Sequence, residues 1–216
     1  MISHYDEDVS RLIKCIGYVA DLGATHVVMV DGAYALYPDG RRTTGAYVSS
    51  FASEEAEVRG LGFLAYTPRD VFAGNEAEKR QVMLDLALSI TTDDDFLLPW
   101  DADFALYKGQ DLTQMLREHP GRWADVALTD SPTDAGWYWV RLLLRSVRGM
   151  HFKKDHYTYH YPDGDHTVVG PRGADLARGL KLPVWVRHSP DRPDQPGRRD
   201  KQKEYYKIRD STGIER

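Results

Sequence analysis

The chain has 216 residues, a net charge of −5, 42% hydrophobic and 28% charged residues. That balance is globular, and no apolar run approaches the ~20 residues needed to cross a bilayer. A negative surface argues against bulk nucleic-acid binding, while leaving room for a local basic groove.

The length fits one domain, or a core with an appendage. The acidic first residues lack a signal-peptide apolar segment, so we expect a cytoplasmic protein. The one cysteine, Cys15, excludes an intramolecular disulfide. It sits in an amphipathic pattern and reads as a buried structural thiol.

The elements alternate between β and α. His4 to Asp8 reads as the polar exit of a strand of only a few residues. Asp8 caps a helix from Val9 to Leu22, whose apolar face is Leu12, Ile13, Ile16, Val19 and Ala20. Gly23 ends it. His26 to Val30 is a continuous apolar strand of the buried parallel type, stopping at Asp31 and Gly32. A loop follows from Ala33 to about Ser50. Ser53 is expected to cap a short helix, with Glu54, Glu55 and Glu57 at its positive end. Phe63 to Tyr66 is a strand, and Gly74-Asn75-Glu76 opens a helix with Val82, Met83, Leu86, Ala87 and Ile90 at helical spacing.

The run Phe96-Leu97-Leu98-Pro99-Trp100-Asp101-Ala102-Asp103-Phe104 then reads as a buried strand whose end emerges in two acids. In extended backbone an i, i+2 pair points to one side, so both carboxylates can reach one divalent cation. Hard oxygen donors at an open site suit Mg²⁺ or Mn²⁺ carrying a diphosphate. Asp111 to His119 is expected to be helical, and Asp125 to Leu128 a strand. Residues 136–169 become aromatic and β-rich, with turns at Arg148-Gly149 and Pro162-Asp163-Gly164-Asp165. They read as antiparallel hairpins added to the sheet. A last strand, Leu182 to Val186, ends at His188. Three strand ends therefore carry polar groups: Asp31, Asp101 with Asp103, and His188. In open α/β sheets ligands bind at the carboxyl ends of the strands.

With those residues in order, the chain resembles a nucleotide-sugar glycosyltransferase of the GT-A fold, most similar to the family 2 type. Four blocks carry the resemblance: His4-Tyr5-Asp6-Glu7 before a helix; Val30-Asp31-Gly32-Ala33-Tyr34; Asn75 to Arg80 followed by Trp100-Asp101-Ala102-Asp103; and the late strand ending in His188 with its basic tail. The segment from Arg141 to Tyr159 resembles the acceptor side of that family.

The resemblance implies an α/β fold with a Rossmann-like, mostly parallel central sheet flanked by helices and an antiparallel acceptor-side segment. It implies one catalytic domain over residues 1–188, with a nucleotide-sugar half (1–107) and an acceptor half (108–188), then a basic tail or lid (189–216). Tyr5 and Asp31 would lie by the base. Lys79 or Arg80 would approach the nucleotide. Asp101 would bind ribose or the metal, and Asp103 would coordinate the metal, with His188 completing the site. Arg192, Arg198, Arg199 and Lys201 would close over the diphosphate.

The implied activity is Mn²⁺- or Mg²⁺-dependent transfer of a sugar from a nucleoside diphosphate, UDP favoured. The acceptor would be a hydroxyl on protein, glycan, small molecule or modified DNA base. Only Met1-Ile2-Ser3 precede His4, so the usual first strand is either very short or begun upstream. The family's catalytic Asp has no clear counterpart. Asp155 is the candidate general base of an inverting transfer, with His151 and His156 as rivals. Lys201, Tyr205 and Arg209 share helical spacing in the tail, which would serve as a lid or track a polyanion such as DNA. A nucleotidyltransferase of related fold and a non-catalytic nucleotide- or sugar-binding module are the alternatives.

Overall fold

The computed structural model describes residues 1–5, 7–33, 46–72, 76–131, 136–153, 158–169, 179–188, 200, 203–205 and 207. The architecture is α/β. Its first sheet is built from β1 (Ile2–His4), β2 (His26–Asp31), β3 (Gly62–Tyr66) and β5 (Trp100–Asp101), in the order β3-β2-β1-β5. All its pairings are parallel. Val27, Val28, Met29 and Val30 are all buried, as a parallel strand covered on both faces requires. Each such side chain contributes about 1.5–3 kcal/mol by leaving water.

Helices α1 (Val9–Asp21), α2 (Ala46–Val58) and α3 (Glu76–Ile90) connect these strands. Right-handed crossovers place α1 and α2 on one face. The chain then returns past β1, which carries α3 to the other face and makes the β1–β5 boundary the topological switch point. Asp8 caps α1 through the Ser10 amide at 2.6 Å. Gly23, at φ +88°, follows its end as expected. Cys15 is buried in α1.

The short first strand is present, three residues long, and lies between β2 and β5. Helix α2 starts at Ala46, so Ser53 is an interior position and not a cap. Glu54, Glu55 and Glu57 consequently lie toward the negative end of α2, where Arg59 pairs with Glu55 at 2.5 Å.

The run from Phe96 is not one strand. It divides into β4 (Phe96–Leu97) and β5, and the two pair in different sheets. Pro99 lies between them and has no amide to donate to a ladder. The second sheet has the order β4-β8-β7-β12-β6, adding β6 (Phe104–Lys108), β7 (Trp123–Thr129), β8 (Tyr138–Arg145) and β12 (Leu180–His188). It is mixed: β7 and β12 are parallel, and its other pairs are antiparallel.

The expected hairpin across residues 162–165 forms between β10 (Thr158–His160) and β11 (His166–Val168), but with β9 (His151–Phe152) it makes a separate antiparallel sheet, and the turn at Arg148-Gly149 joins β8 to β9 across two sheets and closes no hairpin. Gly149 and Gly164 take φ +88° and +89° in the expected turns. Helix α4 (Thr113–Glu118) is shorter than the expected span from Asp111 to His119. No helix among the described residues is long and apolar enough to cross a membrane.

Candidate functional site

The register of the parallel sheet sets the first group of residues. His4 pairs with Asp31, and Ser3 pairs with both Val30 and Asp101. The carboxyl ends of β2, β1 and β5 therefore bring Asp31, His4 and Asp101 side by side. Asp31 is 1% exposed and accepts a 2.7 Å hydrogen bond from the Gly32 amide. An unpaired carboxylate at such a depth would cost many kcal/mol, so its neighbours matter. His4 Nδ1 lies 3.5 Å from it. Burial first, with Lys79 adding to it and Glu7 opposing, lowers the His4 pKa to about 4, so the ring is neutral at pH 7. Among the described residues neither ring nitrogen has a hydrogen-bond partner. Tyr5 follows at the strand exit, its amide donating to Glu7.

Helix α3 turns charged side chains inward. Lys79 is buried and donates to the carbonyls of His4 and Gly32 at 2.6 and 2.7 Å, joining the ends of β1 and β2. Burial is the main cause that lowers its pKa to about 8, against the pull of Glu7, Asp31 and Glu76. Arg80, also buried, holds Glu76 at 2.6 Å and Asp101 at 2.9 Å. Glu76 and Arg80 pair at i, i+4 spacing, and the pair faces the interior. Lys79 reaches the strand-end carbonyls, and Arg80 reaches the Asp101 carboxylate; both side chains organise the strand ends from beneath. Tyr159 lies within electrostatic reach of Arg80, Asp101 and Glu76, with a fully buried hydroxyl that has no hydrogen-bond partner among the described residues.

The second group lies where the two sheets meet. Asp103 follows β5 in a turn, and the next residue opens β6. Antiparallel pairing sets Phe104 opposite His188, while parallel pairing sets Arg187 opposite Thr129. These registers bring Asp103, His188 and Asp130 together. His188 Nε2 lies 3.4 Å from Asp103 Oδ2, and Nδ1 lies 2.7 Å from Asp130 Oδ1. The Tyr138 hydroxyl donates to Asp130 Oδ2 at 2.7 Å. Asp103 is 18% exposed and His188 32%, so both are reachable from solvent. Burial opposes charge on His188, but Asp103 and then Asp130 outweigh it and raise the pKa to about 9.

Sequence reasoning missed Asp130 and the contact that the Tyr138 hydroxyl makes with it. The signal was there for Asp130, because it is the acid that follows the buried run ending β7. Its position on Nδ1 of a histidine whose Nε2 faces another carboxylate matches the arrangement that orients metal-bound histidines. Asp130→Asn should therefore lower the His188 pKa from about 9 toward its ordinary value. The stabilisation from His188 is fully present below pH ~6.5 and lost as pH rises through ~9; this variant should weaken it. An NMR titration of the imidazole checks both, and an unchanged titration would remove Asp130 from the role.

Asp101, Asp103 and His188 do not form one three-ligand group: among the described residues no three His, Cys, Asp or Glu side chains converge in that way. Asp101 is held by Arg80 instead. Asp103 and His188 remain as an oxygen and a nitrogen donor at a spacing suited to one shared ion. Mg²⁺-type sites use one or two protein ligands plus substrate phosphates, so the donor set fits such an ion. Asp155, Arg192, Arg198, Arg199 and Lys201 lie outside the described residues. Within the tail, Tyr205 is 1% exposed, so that residue packs against protein.

A cavity of about 700 Å³ lies at the opposite ends of the strands, lined in part by Met1, His26, Leu97, Asp94 and Arg145. It is at the amino ends of β1 and β2, away from the strand-end acids. A comparison with protein-family models finds none that matches the chain, and a comparison with curated proteins finds no significant match.

Proposed function

We propose that this chain is a divalent-cation-dependent glycosyltransferase that takes a nucleoside-diphosphate sugar, UDP-linked in the first instance. The observation that carries the reading is the meeting of Asp103 and His188 at 3.4 Å beside the switch point of a parallel sheet whose other ends carry Asp31 and Asp101. The base would lie by Asp31 and Tyr5. The Asp101 carboxylate, set by Arg80, would face the ribose. Asp103 and His188 would hold Mn²⁺ or Mg²⁺, and Asp130 would keep the imidazole turned toward it. The bound cation supplies Lewis-acid stabilisation of the diphosphate as charge accumulates on it.

In an inverting transfer, the acceptor oxygen bonds to the anomeric carbon as the bond to the diphosphate oxygen breaks. The hydroxyl proton passes to a base, for which Asp155 is the proposed residue. Arg192, Arg198, Arg199 and Lys201 are proposed to neutralise the departing diphosphate. The test is release of nucleoside diphosphate from a panel of nucleotide sugars, with Mn²⁺ and with chelator. Cation-dependent release of UDP supports the reading. Release of pyrophosphate from a nucleoside triphosphate would reassign the chain to nucleotidyl transfer. Binding without turnover across donors and acceptors would make it a binding module.

A further inference from the structure

One face of the second sheet is both aromatic and basic, although the chain as a whole is acidic. Along β12 the residues alternate. Leu182, Val184 and Val186 are buried, while Lys181, Trp185 and Arg187 are on the opposite, more accessible side. Trp139 of β8 and Trp185 of β12 both stand opposite Ala127 of β7, so two indoles flank a small residue. On β6 the register shifts between Trp185 and Val186, leaving Tyr107 as an extra residue beside Lys108. A bulge of this kind brings consecutive side chains toward the same face.

Cations and rings then interleave. Lys181 Nζ lies 5.1 Å from the Trp139 ring and Lys108 Nζ 5.0 Å from the Trp185 ring. The Arg187 guanidinium lies 4.2 Å from the Tyr107 ring, which is 5.6 Å from that of Trp137. Tyr107 is 47% exposed. The strands β6, β7, β8 and β12 contain one acid, Asp125, and it is buried 3.3 Å from Arg141. Their accessible face therefore offers lysine and arginine with no exposed carboxylate from its own strands.

We infer that this face binds single-stranded nucleic acid and leads it toward Asp130, His188 and Asp103. Phosphates meet the cations, and unpaired bases stack on the rings; every base has a π-face, so the site is tolerant of sequence. Neutral glycans use aromatic platforms without needing the cations, and a bare polyanion needs no rings. From Lys181 to Arg187 the strand covers roughly 20 Å, enough for a few nucleotides. Arg187 immediately precedes His188, so the basic face reaches the strand end that carries the acids, while alternation turns the His188 side chain to the other face of the sheet. Its service as an acceptor track rests on the transferase reading; the binding itself does not.

The test is fluorescence anisotropy of a labelled oligothymidylate, together with quenching of intrinsic tryptophan, in buffer free of nucleotide sugar and divalent cation. The expected result is salt-sensitive binding accompanied by quenching. The Lys108→Glu/Lys181→Glu variant should bind at least about tenfold more weakly, and each lysine lost should reduce the salt slope by about one. Both lysines are exposed, so the fold should survive, as circular dichroism will show. Absence of binding, undiminished binding by the variant, equal affinity for duplex, or equal affinity for polyglutamate without quenching would each overturn the inference. Donor binding fails or succeeds in a separate measurement, so the two readings are distinguishable.

Discussion

Asp103→Ala is expected to abolish cation-dependent donor turnover, with a loss on the order of 10³-fold, because several kcal/mol of charge stabilisation depend on the cation. Asp103 is one of two solvent-reachable donors that face each other where the sheets meet, and its removal leaves His188 Nε2 without a facing carboxylate while Asp130 stays on Nδ1. Asp101 is poorly placed to substitute, since Arg80 holds its carboxylate at 2.9 Å. The variant has a second, cation-free signature. Asp103 raises the His188 pKa, so without it the value should fall from about 9. Asp130 would still oppose the fall, leaving an intermediate value. Mn²⁺ titration calorimetry and an NMR titration of His188 read the two effects separately. A normal Mn²⁺ affinity with a shifted His188 would move the cation elsewhere while leaving the local electrostatics intact.

Lys79→Ala is expected to destabilise the fold by about 3–5 kcal/mol, the range for breaking a buried charge network from one side. The loss has two parts. The carbonyls of His4 and Gly32 lose their shared donor, each orphan costing about 1–3 kcal/mol. Asp31, 1% exposed, also loses a neighbouring positive charge. Urea unfolding measures the difference, and a loss below about 1 kcal/mol would show that the strand ends do not depend on this lysine.

The pH dependence is a sharper signature. The folded pKa of about 8 lies below the ordinary 10.5, so between these values the unfolded chain holds the extra proton. The contribution of Lys79 to stability therefore rises from pH 8 to 10.5. Lys79→Met, which keeps the length and removes the titration, should lose that rise.

Those two residues also mark how far the sequence could be read. The strand ends were legible because apolar runs stop abruptly: Val27 to Val30 at Asp31, and the β12 run at His188. The turns at Gly149 and Gly164 were legible because glycine there supplies positive φ. The meeting of His188 with Asp103 was proposed from resemblance; its physical cause is the β6–β12 register, which no local pattern encodes.

The division of the run from Phe96 into two strands depends on which neighbours each half finds, with Pro99 as the local hint. Lys79 or Arg80 was expected to approach the nucleotide, yet α3 buries Glu76, Lys79 and Arg80. The Glu76–Arg80 pair and the bonds from Lys79 to the His4 and Gly32 carbonyls make that possible, and these tertiary partners are not visible in helical spacing. Asp130 obeyed the same strand-end rule as Asp31 and was passed over because its neighbour Tyr138 and its contact with His188 are tertiary.

The central claim is a cation-assisted nucleotide site at the carboxyl ends of the strands. Isothermal titration of UDP into the protein tests it most directly, once with Mn²⁺ and once with chelator, repeated on Asp103→Ala. We predict binding that needs both Mn²⁺ and Asp103. Absence of binding by UDP, GDP and the other nucleoside diphosphates with Mn²⁺ present, or binding indifferent to both the cation and Asp103, would contradict it.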